Sequence, residues 1–182
     1  IRLACESRGP RQLHSFPFDI WHGFYFVVSL LGTFLLLQSL ERGVRHVARH
    51  VDEVILKENG DIDSLRLEGG ETLDADFFVD CTGFASLLIG KTLKTPFVSY
   101  AENLYNNAAV ALPTPLDGPI MSQTISTALK HGWAWKIPLT NRYGNGYVYS
   151  TDFCSPEQAE TELRTHLGVL DADVSARHLK MR

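Results

Sequence analysis

Apolar and polar positions alternate with a period of two along several stretches, and this period predicts β-strands. The clearest stretch places Trp133, Trp135 and Ile137 on one face of a strand. Two indoles at alternate positions form a broad, flat, stiff apolar wall, and Pro138 ends the ladder because it has no N–H to donate. Periodicity alone favours an ordinary core strand here.

Residues 44–74 have strand patterns interrupted by turn formers. Asn59-Gly60 is a strong hairpin signal because both residues tolerate positive φ, and Gly69-Gly70 makes a second turn. The pattern predicts a small antiparallel meander with strands at Val44–Ala48, Val51–Lys57, Ile62–Glu68 and from Thr72 onward.

A strand, a glycine-containing turn and a helix are predicted between residues 76 and 93. Phe77–Val79 is a short apolar run between aspartates, as expected of a strand buried on both faces. It leads into Cys81-Thr82-Gly83 and an apolar helix, Leu87–Leu93. Such a turn can cradle a phosphate with the N–H groups of the helix start, although many similar turns bind nothing.

The later chain predicts a second sheet and one clearly marked helix. Ser155 is the predicted N-cap, Pro156 the first helical residue and Gln158 the capping-box partner. That helix is expected to end near Leu167, before Gly168. The predicted strands are Ala108–Leu112, Met121–Leu129, Trp133–Leu139 and Tyr147–Ser150, with a turn over 143–146.

Ile20–Leu40 is a run of 21 residues without Asp, Glu, Lys or Arg, which meets the length of a membrane span. Polar residues and glycines interrupt the run, and no basic cluster flanks it. A buried helix from about Val28 to Glu41, closed by Gly43, explains the same residues. We favour that helix and keep a span over residues 20–40 as the alternative.

Composition narrows the class of protein. The chain has 182 residues, 45% of them hydrophobic, and a net charge of −4 with no long basic run, which argues against a nucleic-acid partner. Its three cysteines are far apart and form no CxxC, so a reducing cytoplasm fits best. From its length we expect one domain or part of a larger one, and because the chain starts without methionine we interpret it as an internal fragment of a longer protein.

The residues outside these patterns provide little evidence for a metal site, a hydrolase motif or a nucleotide-binding motif. His46 and His50 would share a helix face, but a strand is favoured there, so we interpret them as solvated and predict no metal site. GxSxG, Walker and GxGxxG motifs do not occur, so no complete dinucleotide-binding fold is encoded. The residues alone indicate an α/β fragment and leave nucleotide binding open.

Three stretches together resemble the flavin-dependent halogenases of the tryptophan halogenase family. Residues 132–139 match the WxWxIP motif of that family, and residues 76–84 with 87–89 are similar to its second flavin-contacting strand and turn. Residues 145–150, with Phe153 and the Ser155 helix, are similar to the segment after WxWxIP in these enzymes. The resemblance covers most of residues 41–182.

The resemblance implies an α/β fold of the FAD-dependent monooxygenase type, in which a Rossmann-like FAD domain is interleaved with a substrate-side sheet and helices. Residues 1–93 would belong to the FAD domain, 94–154 to the substrate-side sheet, and 155–182 to the start of the next segment. In this family, FADH2 from a separate flavin reductase reacts with oxygen and then with chloride or bromide. Hypohalous acid then halogenates tryptophan, indole or a related aromatic. A homodimer is compatible with this scheme.

The resemblance also implies site residues. The turn Cys81, Thr82 and Gly83 would contact FAD, and Val47 and Ala48 would present backbone to its adenine side. The wall beside the isoalloxazine would comprise Trp133, Trp135, Ile137 and Pro138.

Other family features cannot be assigned. The glycine-rich fingerprint and essential lysine lie upstream of the matched stretch, and the essential glutamate lies downstream, so we expect this chain alone to be inactive. Tyr25–Val28 also departs from the His-Phe-Asp-Ala-like helix start of the family. The alternatives are a flavin monooxygenase or reductase of the same fold, and a membrane-anchored non-enzymatic protein.

Overall fold

The computed structural model describes residues 23–181, which have mixed α/β structure with antiparallel sheets, as predicted. Two compact units are present: Thr33–Tyr100, and Ala101–Arg182 together with the stretch that ends at Gly32. A hydrogen bond of 2.8 Å between the hydroxyls of Tyr25 and Thr124 joins the two parts of the second unit. The predicted domain boundaries at 93/94 and 154/155 stay predictions.

Three strands of the predicted meander, β1 (Val51–Leu56), β2 (Ile62–Leu67) and β3 (Thr72–Asp74), are confirmed in the first unit, whereas the strand expected at Val44–Ala48 does not form. Its strands run in the order β1-β2-β3 and pair antiparallel. Gly60 and Gly69 have φ near +89°, which is why these turns need residues without a Cβ.

Helix α1 (Val28–Glu41) has the predicted bounds, but the prediction that it is buried is wrong. Its end is closed by a hydrogen bond from Val44 N–H to the carbonyl of Ser39, with Gly43 at φ +81°. None of its residues is buried, because apolar side chains surround the axis and leave no single face to pack. It is 14 residues long, and within residues 23–181 no helix is long and apolar enough to cross a membrane. The alternative of a span over 20–40 thus lacks support, and its first three residues lie outside the described part.

The region between residues 76 and 93 differs from its prediction. Phe77 and Val79 are 81% and 71% exposed, and no strand forms there, since a short apolar run needs strands on both sides to bury it. The predicted helix is instead a 3₁₀ turn, Gly83–Ala85, followed by a π-helical segment, Leu87–Thr92.

The second unit contains a sheet of five strands, in the spatial order β5-β6-β7-β4-β8, with the bounds β4 (Ala108–Thr114), β5 (Ile125–Leu129), β6 (Gly132–Pro138), β7 (Tyr143–Tyr149) and β8 (Arg177–Lys180). The expected turn over 143–146 is wrong, because these residues continue β7 and pair with both β4 and β6. The short last strand had no clear sequence signal.

Helix α2 (Pro156–Leu167) covers one face of this sheet. Its start is the predicted capping box, in which Ser155 Oγ accepts from Gln158 N–H and the Gln158 side chain accepts from Ser155 N–H. Gly168, at φ +69°, ends it. The core between helix and sheet contains Ala108, Val110, Leu112, Ala134, Tyr147, Tyr149, Cys154, Ala159 and Leu163.

Candidate functional site

The period of two in β6 separates two faces with different environments. Ala134 lies on the face that α2 covers and belongs to the core. Trp133, Trp135 and Ile137 lie on the opposite face, which we call the tryptophan face. Trp133 is 43% exposed and neither tryptophan belongs to the core, so the interpretation of this run as an ordinary core strand is wrong.

The two indoles form an angled surface instead of the expected flat wall. Their ring centroids are 6.0 Å apart and the ring planes meet at 54°. Pro138 ends β6, as predicted, but it is buried and alternates onto the face of Ala134. It therefore stands apart from the tryptophan face, with which it was expected to form one wall.

Gly146 supports the Trp135 indole. It lies opposite Trp135 in the β6–β7 register, and a Cβ added to it would lie 2.1 Å from Trp135 Cζ2. The indole therefore lies directly on the glycine backbone. The sequence does contain a signal for this close packing, since glycines occupy the alternate positions 144 and 146 on the strand next to an aromatic one. Because glycines are also typical of turns, the same residues were interpreted as a turn.

The turn Cys81-Thr82-Gly83 is organised by the preceding aspartate. Asp80 Oδ1 accepts from the N–H and the hydroxyl of Thr82, at 3.1 and 2.6 Å. Asp80 Oδ2 accepts from the N–H groups of Leu88 and Ile89, at 2.8 and 3.0 Å. Thr82 Oγ1 accepts from Leu87 N–H at 2.9 Å.

These bonds remove the basis for a phosphate cradle. The N–H groups at the start of the π-helical segment already bind a carboxylate of the chain itself, whose charge also repels phosphate. Hydrogen bonds from the Thr82 side chain first, and then from backbone N–H groups, lower the pKa of Asp80 to about 2. The turn remains open at Gly83, where φ is +61° and an added Cβ would meet nothing within 4 Å.

Asp80→Asn is expected to remove an acid-sensitive part of the stability. The folded pKa of about 2 lies below the ordinary 3.8, so ionised Asp80 stabilises the turn at higher pH, and this contribution disappears as the pH falls from 3.8 to about 2. Urea unfolding of both proteins between pH 7 and pH 2 measures it, and the difference should shrink across that window. Asp76→Asn, at an exposed carboxylate, is the control. A difference that is constant with pH would contradict the prediction.

Val47 and Ala48 lie in residues 44–50, where the predicted strand does not form. The segment is held against the meander instead: Arg45 and Arg49 each bind one oxygen of Glu71, at 3.0 and 2.8 Å. Among the described residues, no hydrogen bond joins Val47 or Ala48 to Cys81, Thr82 or Gly83. No group of three or more His, Cys, Asp or Glu within residues 23–181 is placed to hold a metal ion.

Comparison with known proteins identifies the family. A family profile described as "Tryptophan halogenase" matches residues 5–182, nearly the whole chain. The chain belongs to the tryptophan halogenase family. The resemblance in the sequence is thereby confirmed.

Individual members of the family are closely similar to this chain. It is 44% identical to the 7-chloro-L-tryptophan 6-halogenase KtzR of Kutzneria sp. (strain 744), over 100% of this chain and 34% of KtzR. It is 45% identical to the tryptophan 6-halogenase SttH of Streptomyces toxytricini, over 97% of this chain and 33% of SttH. The structure of Xcc4156, a flavin-dependent halogenase from Xanthomonas campestris, superposes with a TM-score of 0.89 at 31% identity, covering 99% of this chain and 36% of Xcc4156. The chain thus spans about a third of the length of these halogenases.

The two predicted flavin contacts differ in how well their chemistry fits a flavin. The tryptophan face is apolar and partly exposed, which suits contact with a flat aromatic ring system. The turn at Gly83 suits a neutral backbone contact, because its neighbouring helix start has no N–H groups left for phosphate. In this halogenase-family chain, the residues therefore fit the ring of a flavin better than its diphosphate.

Proposed function

We propose that this chain is part of an FADH2-dependent halogenase that chlorinates or brominates tryptophan, indole or a related aromatic ring. Family membership supports the reaction class, and the names of KtzR and SttH support an indole-containing substrate. The observation that carries the proposal is the exposed tryptophan face, which presents the family motif away from the core.

FAD, when bound, supplies the oxidising chemistry, and the residues of this chain shape its surroundings. Trp133, Trp135 and Ile137 would exclude water and hold the organic substrate away from the reactive ring, since an indole face offers no nucleophile. Cys81, Thr82 and Gly83 would give FAD a backbone contact. Val47 and Ala48 would face its adenine side, held by the arginine contacts to Glu71.

A separate flavin reductase would deliver FADH2 through a transient encounter in the cytoplasm, and dioxygen as the oxidant, halide and a small aromatic would be the co-substrates. A homodimer is compatible with this scheme, and no nucleic acid takes part. The catalytic lysine and glutamate of the family would lie outside the matched stretch.

Bromination by the full-length protein tests the proposal. Incubation with a flavin reductase, NADH, FAD, bromide and tryptophan or indole is expected to give a product with the bromine isotope doublet in its mass spectrum. Omitting bromide is the control and should abolish the doublet. A product that is only hydroxylated would instead support a flavin monooxygenase of the same fold and would overturn the halogenase assignment.

A further inference from the structure

The turn between β5 and β6 lacks the conformation that such turns normally require. Lys130 and His131 form a two-residue connection, since Leu129 pairs with Gly132. Two-residue hairpins favour turns with positive φ because their twist matches that of the strands. Among the described residues, positive φ outside glycine occurs only at Ser86 and Lys94, so this turn has neither favoured conformation.

Side chains from two other elements hold this turn from outside. Glu162 Oε1, on α2, accepts from Lys130 N–H at 2.8 Å. Tyr147 Oη, on β7, accepts from His131 N–H at 2.9 Å and donates to Glu162 Oε2 at 3.0 Å. Both N–H groups of the turn are therefore bound, and the two side chains that bind them are bonded to each other.

The Tyr147 hydroxyl is suited to this double role. The side chain is 0% exposed and its ring packs against that of Tyr149, with centroids 5.7 Å apart. Burial is the main cause that raises the pKa of Tyr147 well above its ordinary value, and neighbouring Glu162 acts in the same direction. The hydroxyl thus keeps its proton and donates a hydrogen bond to Glu162 Oε2.

Only Gly132 separates the turn from Trp133 along the chain. Gly132, which comes directly after the turn, lies so near β7 that an added Cβ would be 1.9 Å from the Val148 carbonyl oxygen. Trp133 comes next and pairs with Val148. Because β5 is an edge strand, only β7 supports this hairpin from the side, so a shift of the turn would move Trp133.

We propose that Glu162 and Tyr147 are positioning residues that fix the hairpin turn and thereby set the angle between Trp133 and Trp135. The relevance to halogenation rests on the proposed function, whereas the effect on the two indoles does not. Both residues act through the backbone of Lys130 and His131, whose N–H groups they bind.

Glu162 and Tyr147, with their bonds to Lys130 and His131, form a clamp on the turn, and two substitutions separate its halves. Tyr147→Phe removes the acceptor of His131 N–H, and Glu162→Ala removes the acceptor of Lys130 N–H. Amide hydrogen exchange in the full-length protein is expected to accelerate about tenfold at the residue whose acceptor is lost, as for one hydrogen bond removed. Glu162→Gln keeps an acceptor and should restore most of the protection at Lys130. Tyr149→Phe removes a hydroxyl from the neighbouring buried ring and is the matched control.

A spectroscopic measurement reports on the indoles themselves. Two indoles with centroids 6.0 Å apart couple excitonically in circular dichroism, and the difference between wild type and Trp133→Phe isolates their signal. Tyr147→Phe and Glu162→Ala should each change that signal and lower the yield of brominated product per FADH2 at least threefold. If Tyr147→Phe does not fold, Glu162→Ala at the partly exposed helix position decides the question.

The outcomes distinguish the clamp from the enzyme assignment. Faster exchange with an unchanged indole signal would mean that the bonds only stabilise the turn, and unchanged exchange would mean that they do not hold it; either result overturns the positioning role. A wild-type protein that makes no halogenated product, but whose variants change both exchange and indole signal, refutes the halogenase while leaving the clamp supported.

Discussion

Gly146→Ala is expected to displace the Trp135 indole and to destabilise the protein by ~1–3 kcal/mol, the usual cost of overpacking. The new Cβ would lie 2.1 and 2.2 Å from two carbons of the indole ring, Cζ2 and Cη2. Carbon atoms in contact sit at about 3.5–4.0 Å, so the ring has to retreat by roughly 1.5 Å. A rigid indole cannot bend away, and Trp135 has to change its rotamer or lift β6 from β7.

Gly144→Ala is the matched control for this substitution. Gly144 lies on the same face of β7, two residues away, and its added Cβ would meet only the flexible Arg142 side chain at 3.6 Å. Its effect on unfolding should stay within about 0.5 kcal/mol. Urea unfolding and the circular dichroism of the indole pair measure both variants. Equal behaviour of the two alanine variants would show that Trp135 does not depend on the glycine.

The elements that could be predicted from sequence are those whose signals are local. The meander follows from Asn59-Gly60, since positive φ at a turn is a property of the residues that make it. The helix start at Ser155 follows from a reciprocal bond between residues three apart. In both cases the residues that carry the signal also make the contacts.

Features that depend on distant partners could not be predicted in the same way. The period of β6 places Trp133 and Trp135 together correctly, but only the packing of α2 decides which face is the core. The glycines at 144 and 146 are typical of a turn, although they belong to a strand on which an indole lies. The sequence predicts a helix start after Gly83 whose N–H groups could bind phosphate. In the structure the carboxylate of Asp80 accepts from two of these N–H groups, eight and nine residues further along the chain. The clamp on Lys130 and His131 joins residues 16 and 32 positions apart and has no local signal.

Trp133→Ala is expected to separate the function of the tryptophan face from its contribution to stability. The side chain is 43% exposed and lies outside the core, so its truncation should lower the free energy of unfolding by only ~1 kcal/mol. If this face excludes water and organic substrate from the flavin, the yield of brominated product per FADH2 should nevertheless fall roughly 10- to 100-fold, the cost of misplaced groups near reacting atoms.

Trp133→Phe serves as the conservative partner of that variant. A phenyl ring retains an apolar, stiff surface without a nucleophile, so most of the halogenation should remain, and free hypohalite or peroxide should rise less than in Trp133→Ala. Product mass spectra and a peroxide assay, run beside urea unfolding, separate the two effects. Because Trp135 is held by Gly146 and Trp133 lies just after the hairpin turn, each half of the face has its own support. A Trp133→Ala protein that brominates as well as wild type would restrict the barrier to Trp135 and Ile137 and remove Trp133 from the proposed site.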